Sequence, residues 1–220
     1  MNFNTIYIIY LIILLGPVII GFVRFKKLSK AFKVLTVVIL CTLLSESIKK
    51  IYGQKYHNSM PVSHIWAVIE FVLFSLVYYQ LITTAWVKKA ITISMLFMVV
   101  LEVANLLFFE KINQFPSLIL EASHIIYVCY ALLLFRQMLF FATQQSIFKQ
   151  SLFWFNINML FYATTMFLNF ALLSYFVENK LDVVPLYYFS IVINFIFYIV
   201  IGFSLSIENE KMTVTGISNG

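Results

Sequence analysis

Seven long apolar runs, separated by short breaks rich in charge or turn residues, account for almost the whole chain. They fall at about 5–23, 31–49, 62–84, 90–109, 117–141, 150–177 and 183–207. About 20 helical residues cross a ~30 Å hydrocarbon core, so each run is long enough to span a bilayer. The pattern predicts an all-α fold: a polytopic seven-transmembrane-helix bundle over 1–207, followed by a short polar tail at 208–220. The longest expected connector is "IYGQKYHNSMPV" at 51–62, so no soluble domain is expected between spans. Gly16-Pro17 lies inside the first run and predicts a kink there, because proline removes a backbone donor and crowds the preceding turn.

Composition agrees with the pattern. Of 220 residues, 62% are hydrophobic and only 11% charged, well short of the roughly 25% that covers a soluble surface. The net charge of +6 comes from basic residues placed between apolar runs, which indicates membrane orientation and no nucleic-acid partner. Cys41 and Cys129 fall within spans and are expected as small packing residues.

Charge placement predicts direction. The first run has no basic residue before it and is followed by Arg24, Lys26 and Lys27, the reverse of a cleavable signal, so it is expected to be retained with its N-terminus outside. Alternation then puts Arg24, Lys26, Lys27, Lys30, Lys33, Lys88, Lys89, Arg136, Lys149 and Lys211 inside, against Lys49, Lys50, Lys55, Lys111 and Lys180 outside. This excess of inner cations predicts N-out/C-in, with the Lys49–Lys55 segment dissenting. Trp86 and Tyr187-Tyr188 fit interfacial belts.

The polar exceptions inside the spans carry the functional question. An ionisable side chain at a helix centre costs at least ~2.5–3.5 kcal/mol on insertion scales, so each calls for a partner or a wet cavity. Glu46, His64, Glu70, Glu102, Glu121 and His124 all fall in the expected outer half. Glu46 is spaced to pair with Lys50 at i, i+4, and Glu121 with His124 at i, i+3. Glu102 shares a face with Asn105 and is expected to hydrogen-bond a neighbouring helix. Glu70 has no local cation; its face carries Ser63, Trp66, Phe74 and Val77. Two neutral stripes follow, Asn158-Tyr162-Thr165-Asn169 in the sixth run and Tyr187-Ser190-Asn194-Tyr198 in the seventh, of the kind that joins helices.

Established chemical signatures are incomplete. Glu121-x-x-His124 has the spacing of a di-iron bundle motif, but such sites use two copies and two further glutamates. A zinc hydrolase built on His64, His124 and a glutamate lacks the pair of last-helix histidines of known seven-helix examples, and a retinal protein needs a lysine in 183–207, where there is none. No phosphate loop, Gly-x-Ser-x-Gly elbow or Cys-x-x-Cys pair occurs. The only internal echo is "SHI" at 63–65 and 123–125, which does not fit the pairing of a three-plus-one-plus-three transporter and is read as chance. No catalytic residue, metal or cofactor is therefore nominated.

Three segments carry a resemblance: "HIWAVIEFVLFSLVYYQ" at 64–80, with its Ile69-Glu70-Phe71 tripeptide, "LLSESI" at 43–48, and "FWFNINMLFY" at 153–162. Together they resemble a poorly characterised bacterial family of seven-helix membrane proteins, some of which are similar to the membrane portion of sensor histidine kinases. The resemblance implies Glu46, Glu70, Trp154 and Tyr162 as family positions, and a multi-pass protein of the bacterial inner membrane. It offers no counterpart for Glu121 and His124.

These readings converge on a non-enzymatic sensory or regulatory module. Its polar cavity is expected to take a small or lipidic ligand or protons, using Glu70 first, with Glu46, Glu102, Glu121, His64, His124, Asn158, Tyr162, Asn169 and Asn194 as further candidates. The chain carries no kinase domain, so a cytoplasmic signalling partner is expected beside the lipid bilayer, with homo-oligomerisation open. A transporter or oligomeric pore is the alternative, and a metal-dependent membrane hydrolase the third reading.

Overall fold

A computed structural model describes residues 3–140 and 146–209. Their secondary structure is helical throughout: α1 (Phe3–Arg24), α2 (Lys30–Tyr56), α3 (Met60–Leu81), α4 (Ala85–Phe108), α5 (Ser117–Phe140), α6 (Ser151–Glu178) and α7 (Val184–Ile207). Single 3-10 turns sit at Phe25–Lys27 and Ile147–Lys149. All seven α-helices are long and apolar enough to cross a membrane. Lys211 and nearly all of the expected 208–220 tail lie outside the described residues.

Two boundaries differ from the sequence reading. α2 does not stop at Lys49 but runs two more turns to Tyr56, where His57 turns into the left-handed region at φ 56°. The polar run 51–56 is helix, because Gly53 is accommodated within it and Pro61 acts only later, in the first turn of α3. α4 begins at Ala85 instead of 90, which places Trp86, Lys88 and Lys89 in its first turn. α1 continues as one helix through Pro17.

The helices pack as a ring in the order α1, α2, α3, α5, α6, α7, closed by α7 against α1. α4 stands outside it, packed on α3 and α5. Polarity is inverted relative to a soluble bundle. His64, Glu102, Asn105, Asn156, Asn158 and Asn169 are buried, while on α4 Leu96, Phe97, Val103, Leu107 and Phe108 are exposed. Exposed apolar side chains over buried polar ones are what a lipid solvent selects. Cys129 follows this rule by lying exposed on α5 and not in the packed interior, while Cys41 is half-buried.

Side chains knit the helices at several depths. Asn156 on α6 donates through Nδ2 to the Ala131 carbonyl of α5 at 2.9 Å and accepts from the Tyr78 hydroxyl of α3 at 3.2 Å. Asn158 Nδ2 donates to the Phe197 carbonyl of α7 at 3.0 Å. At the C-terminal end of α3, Gln137 of α5 donates to the Leu81 carbonyl at 3.0 Å and accepts from Thr83 N at 2.8 Å.

Gly21 lets α1 approach α2 closely. A Cβ there would stand 2.5 Å from Thr36 Cγ2 on α2, and Thr36 is locked by its own hydroxyl bond to the Phe32 carbonyl at 2.9 Å. A methyl at Gly16, on the same helix, would meet nothing within 4 Å. Gly21→Ala is therefore expected to destabilise the bundle by about 1–3 kcal/mol through overpacking. Gly16→Ala should be neutral or slightly stabilising. Thermal or detergent unfolding of the two variants side by side measures the difference.

Candidate functional site

Two polar constellations occupy the half of the bundle that carries the N-terminus. The first ties α4 to the ring. His64 of α3 is 1% exposed, and its Nδ1 lies 2.6 Å from Glu102 Oε1 on α4. Its Nε2 stands 3.1 Å from the Gln114 carbonyl; a carbonyl only accepts, so Nε2 carries a hydrogen and donates. The short Nδ1–Oε1 contact requires a second hydrogen between the two atoms.

The network extends along the connector between α4 and α5. Asn105 Nδ2 donates to Glu102 Oε2 at 3.3 Å and to Glu110 Oε2 at 2.8 Å. Glu110 in turn accepts from the Ser117 hydroxyl and, at 3.1 Å, from Leu118 N in the first turn of α5. Apart from Asn105 Oδ1, which is buried without a partner, these groups serve one another, which marks the cluster as a structural clasp.

The second constellation is a cavity of about 340 Å³ at the centre of the ring. It is walled by all six ring helices and by no residue of α4. It reaches the connectors at Phe115-Pro116 and at Val183, and it adjoins a smaller space of about 150 Å³ between α1, α2 and α7 that shares Tyr10, Glu46 and Asn194. The larger volume lies at the low end of the range for small-molecule sites.

Charge enters this cavity from α2 and α3. Lys49 Nζ donates to Glu46 Oε1 at 2.9 Å, so Glu46 pairs at i, i+3 and not, as expected, with Lys50. Lys50 turns away, its ammonium 4.9 Å from the Tyr7 ring centroid. Glu70, at the midpoint of α3, interacts with the Trp66 side chain, and Lys49 and Glu46 are the charged groups that act on it. Its partners thus come from its own previous turn and from across α2.

α5, α6 and α7 supply neutral groups. His124 of α5 donates through Nδ1 to the Leu120 carbonyl at 2.6 Å, while Nε2 is buried with no partner. Tyr162 and Phe170 flank the ring, with centroids at 5.6 and 5.3 Å. Asn169 Nδ2 donates to Ser190 Oγ at 2.7 Å, and the Ser190 hydroxyl spends its hydrogen on the Leu186 carbonyl at 3.0 Å. That chain fixes the amide orientation and leaves Asn169 Oδ1 buried without a partner. The Tyr162 hydroxyl donates to Asn194 Oδ1 at 3.2 Å.

The ten sequence candidates therefore separate. Glu46, Glu70, His124, Tyr162, Asn169 and Asn194 line the cavity. His64 and Glu102 hold each other in the clasp, and Asn158 is used between α6 and α7. The expected Glu121–His124 contact is not made: the imidazole bonds its own helix backbone, and Glu121 accepts from the Ser174 hydroxyl of α6 at 3.3 Å. Of the residues implied by the family resemblance, Trp154 sits at the opposite end of the bundle, with its indole on the Phe148 carbonyl at 2.9 Å. Trp66, Lys49 and Tyr198 line the cavity without having been nominated. Trp66 and Tyr198 already shared the faces of Glu70 and Asn194 in the sequence; Lys49 had been read as the last residue of its run, with Lys50 taken as the partner of Glu46.

Among the described residues, no three His, Cys, Asp or Glu side chains come together to hold a metal ion. No protein-family model, curated protein or solved structure matches this chain.

The clasp makes a specific claim about α4. His64→Ala leaves the Glu102 carboxyl buried without its imidazole and is expected to cost about 3–5 kcal/mol. The double variant His64→Phe/Glu102→Leu should recover most of that loss, because an apolar pair replaces both members. Detergent unfolding measures both, and hydrogen exchange should show the single variant loosening α4 ahead of the ring helices.

Proposed function

We propose that the chain is a multi-pass membrane protein, oriented N-out/C-in, that works as a sensory or regulatory module by binding a small ligand in its ring cavity. The observation that supports this reading is that the cavity reaches the connectors at one end and meets a packed aromatic layer at the other. One turn beyond Glu70, Phe74 packs on Tyr127 and Phe197 with centroids at 5.8 and 6.2 Å. Tyr162 stacks on Phe197 at 4.1 Å, and Tyr198 meets Phe197 at 5.3 Å. Past this aromatic layer, Leu14, Leu35, Ile39, Phe155, Ile201 and Leu205 are all fully buried and close the centre of the ring.

A polar chamber over an apolar plug suits binding better than conduction, since a permeating ion or proton needs polar groups along its whole path. The cavity also touches all six ring helices, so a ligand bridging them favours one packing over another, and that difference is available at the opposite face. The excess of cations expected on the inner side and the resemblance to membrane portions of sensor kinases support a cytoplasmic partner as the reader of that change. The bacterial inner membrane is the compartment this reading requires. It assigns no catalytic role to any residue.

Transport is the competing reading. It draws on the ring itself, in which α1–α3 and α5–α7 face each other across the chamber with α4 outside.

Purified full chain in nanodiscs should bind a hit from a small-molecule library saturably, and at 100 times its Kd such a ligand stabilises the fold by about 2.7 kcal/mol. Ala67→Phe, which fills the cavity from α3, should abolish that stabilisation while the protein still unfolds cooperatively. The same ligand should show no flux into proteoliposomes; saturable uptake would replace the sensor with the transporter.

A further inference from the structure

The cavity is out of balance in charge and in hydrogen bonding, and both imbalances have the same sense. Glu46 and Glu70 line it against a single ammonium, Lys49, which is already committed to Glu46. His124 is 5% exposed and Asn169 2% exposed. With Nδ1 protonated toward Leu120, a second proton on His124 would be a buried charge without an acceptor, so the ring is read as neutral and its Nε2 as an acceptor. Asn169 Oδ1 is an acceptor by chemistry. Two buried acceptors without donors thus share the wall with an excess carboxylate.

Much of the rest of the wall is aromatic: Trp66, Phe115, Tyr162, Phe170 and Tyr198 all border the space, among aliphatic side chains. Aromatic faces attract cations and reject anions, through the negative face of the ring quadrupole. An anionic ligand would meet Glu46 and Glu70, and a neutral one would leave the extra carboxylate unanswered. A quaternary ammonium would match the charge and the aromatic faces but would bring no N–H to His124 or Asn169.

We propose that the cavity binds a small organic ammonium, a protonated primary or secondary amine. Its cation lies against Glu70, its N–H donors serve His124 Nε2 and Asn169 Oδ1, and its carbon body lies on the aromatic wall. The assignment rests on the ligand-binding reading above and adds to it a required charge and a required donor.

Three probes of one shape separate these requirements: phenethylammonium, its N,N,N-trimethyl analogue and 2-phenylethanol, each titrated against full chain in nanodiscs. Phenethylammonium is expected to bind saturably and at least about tenfold more tightly than either of the others. Glu70→Gln should remove most of the preference over the alcohol. Asn169→Leu should narrow the gap between the primary and quaternary cations. The order of affinities in the unaltered chain decides the matter even where a variant fails to fold.

If the alcohol binds as well as the ammonium, and Ala67→Phe abolishes both, the amine assignment is overturned while ligand binding stands. Equal binding of the primary and quaternary cations overturns the donor requirement and with it the proposal. If none of the three binds and a panel of neutral and anionic fragments also gives no saturable shift, the cavity reading itself falls.

Discussion

A polar side chain in a chain this apolar has nowhere to hide except against another polar side chain, and that constraint organises the bundle. His64 and Glu102 are 38 residues apart in sequence, yet each is buried only because the other is there. Their bond, together with the relay through Asn105 and Glu110, decides where α4 docks. Asn156 and Asn158 act by the same rule deeper in the ring, each reaching a backbone carbonyl of a neighbouring helix. Such bonds average only about 0.6 kcal/mol, so they fix register and neighbour choice more than they supply stability.

The cavity is the place where that rule is incompletely met. Around it, donors and acceptors are paired down to the last serine hydroxyl, except for His124 Nε2 and Asn169 Oδ1. Elsewhere among the described residues the buried orphans are Arg24 Nε, the Ser45 and Ser75 hydroxyls, Asn105 Oδ1 and Glu208 Oε1, none of them on a residue that lines this cavity. Two residues with unmet acceptors bordering one open space set this surface apart from the clasp, whose single unmet acceptor, Asn105 Oδ1, lies outside the cavity wall.

Much of the architecture could be read from the chain because its signal is local. Seven apolar runs of about 20 residues specify seven helices, and the six ionisable exceptions announce themselves by contrast. What escaped was pairing. The i, i+3 spacing of Glu121 and His124 permits contact, but the imidazole reaches its own i−4 carbonyl instead, and α6 offers Ser174 to the glutamate. The extent of α2 was hidden by Gly53 and the polar residues around it, which read as a loop although tertiary context keeps them helical to Tyr56. Lys49, the last residue of its expected run, was passed over because Lys50 offered Glu46 the i, i+4 spacing, whereas the i, i+3 pair is the one that forms. The ring order itself, with α4 excluded, has no counterpart in hydropathy, because a helix exposed on most of its surface and one packed in the ring are equally apolar.

The position of α4 has a consequence for how disturbance travels through this molecule. It contributes no wall to the chamber, yet it grips α3 at His64, two residues before Trp66 and six before Glu70. A push on its outward face therefore reaches the chamber through α3, where a shift or rotation would move the indole and the carboxylate together, and through α5, on which α4 also packs. The bundle has, in effect, one tuning peg on its outside, and the strings it tightens run along two walls of the chamber.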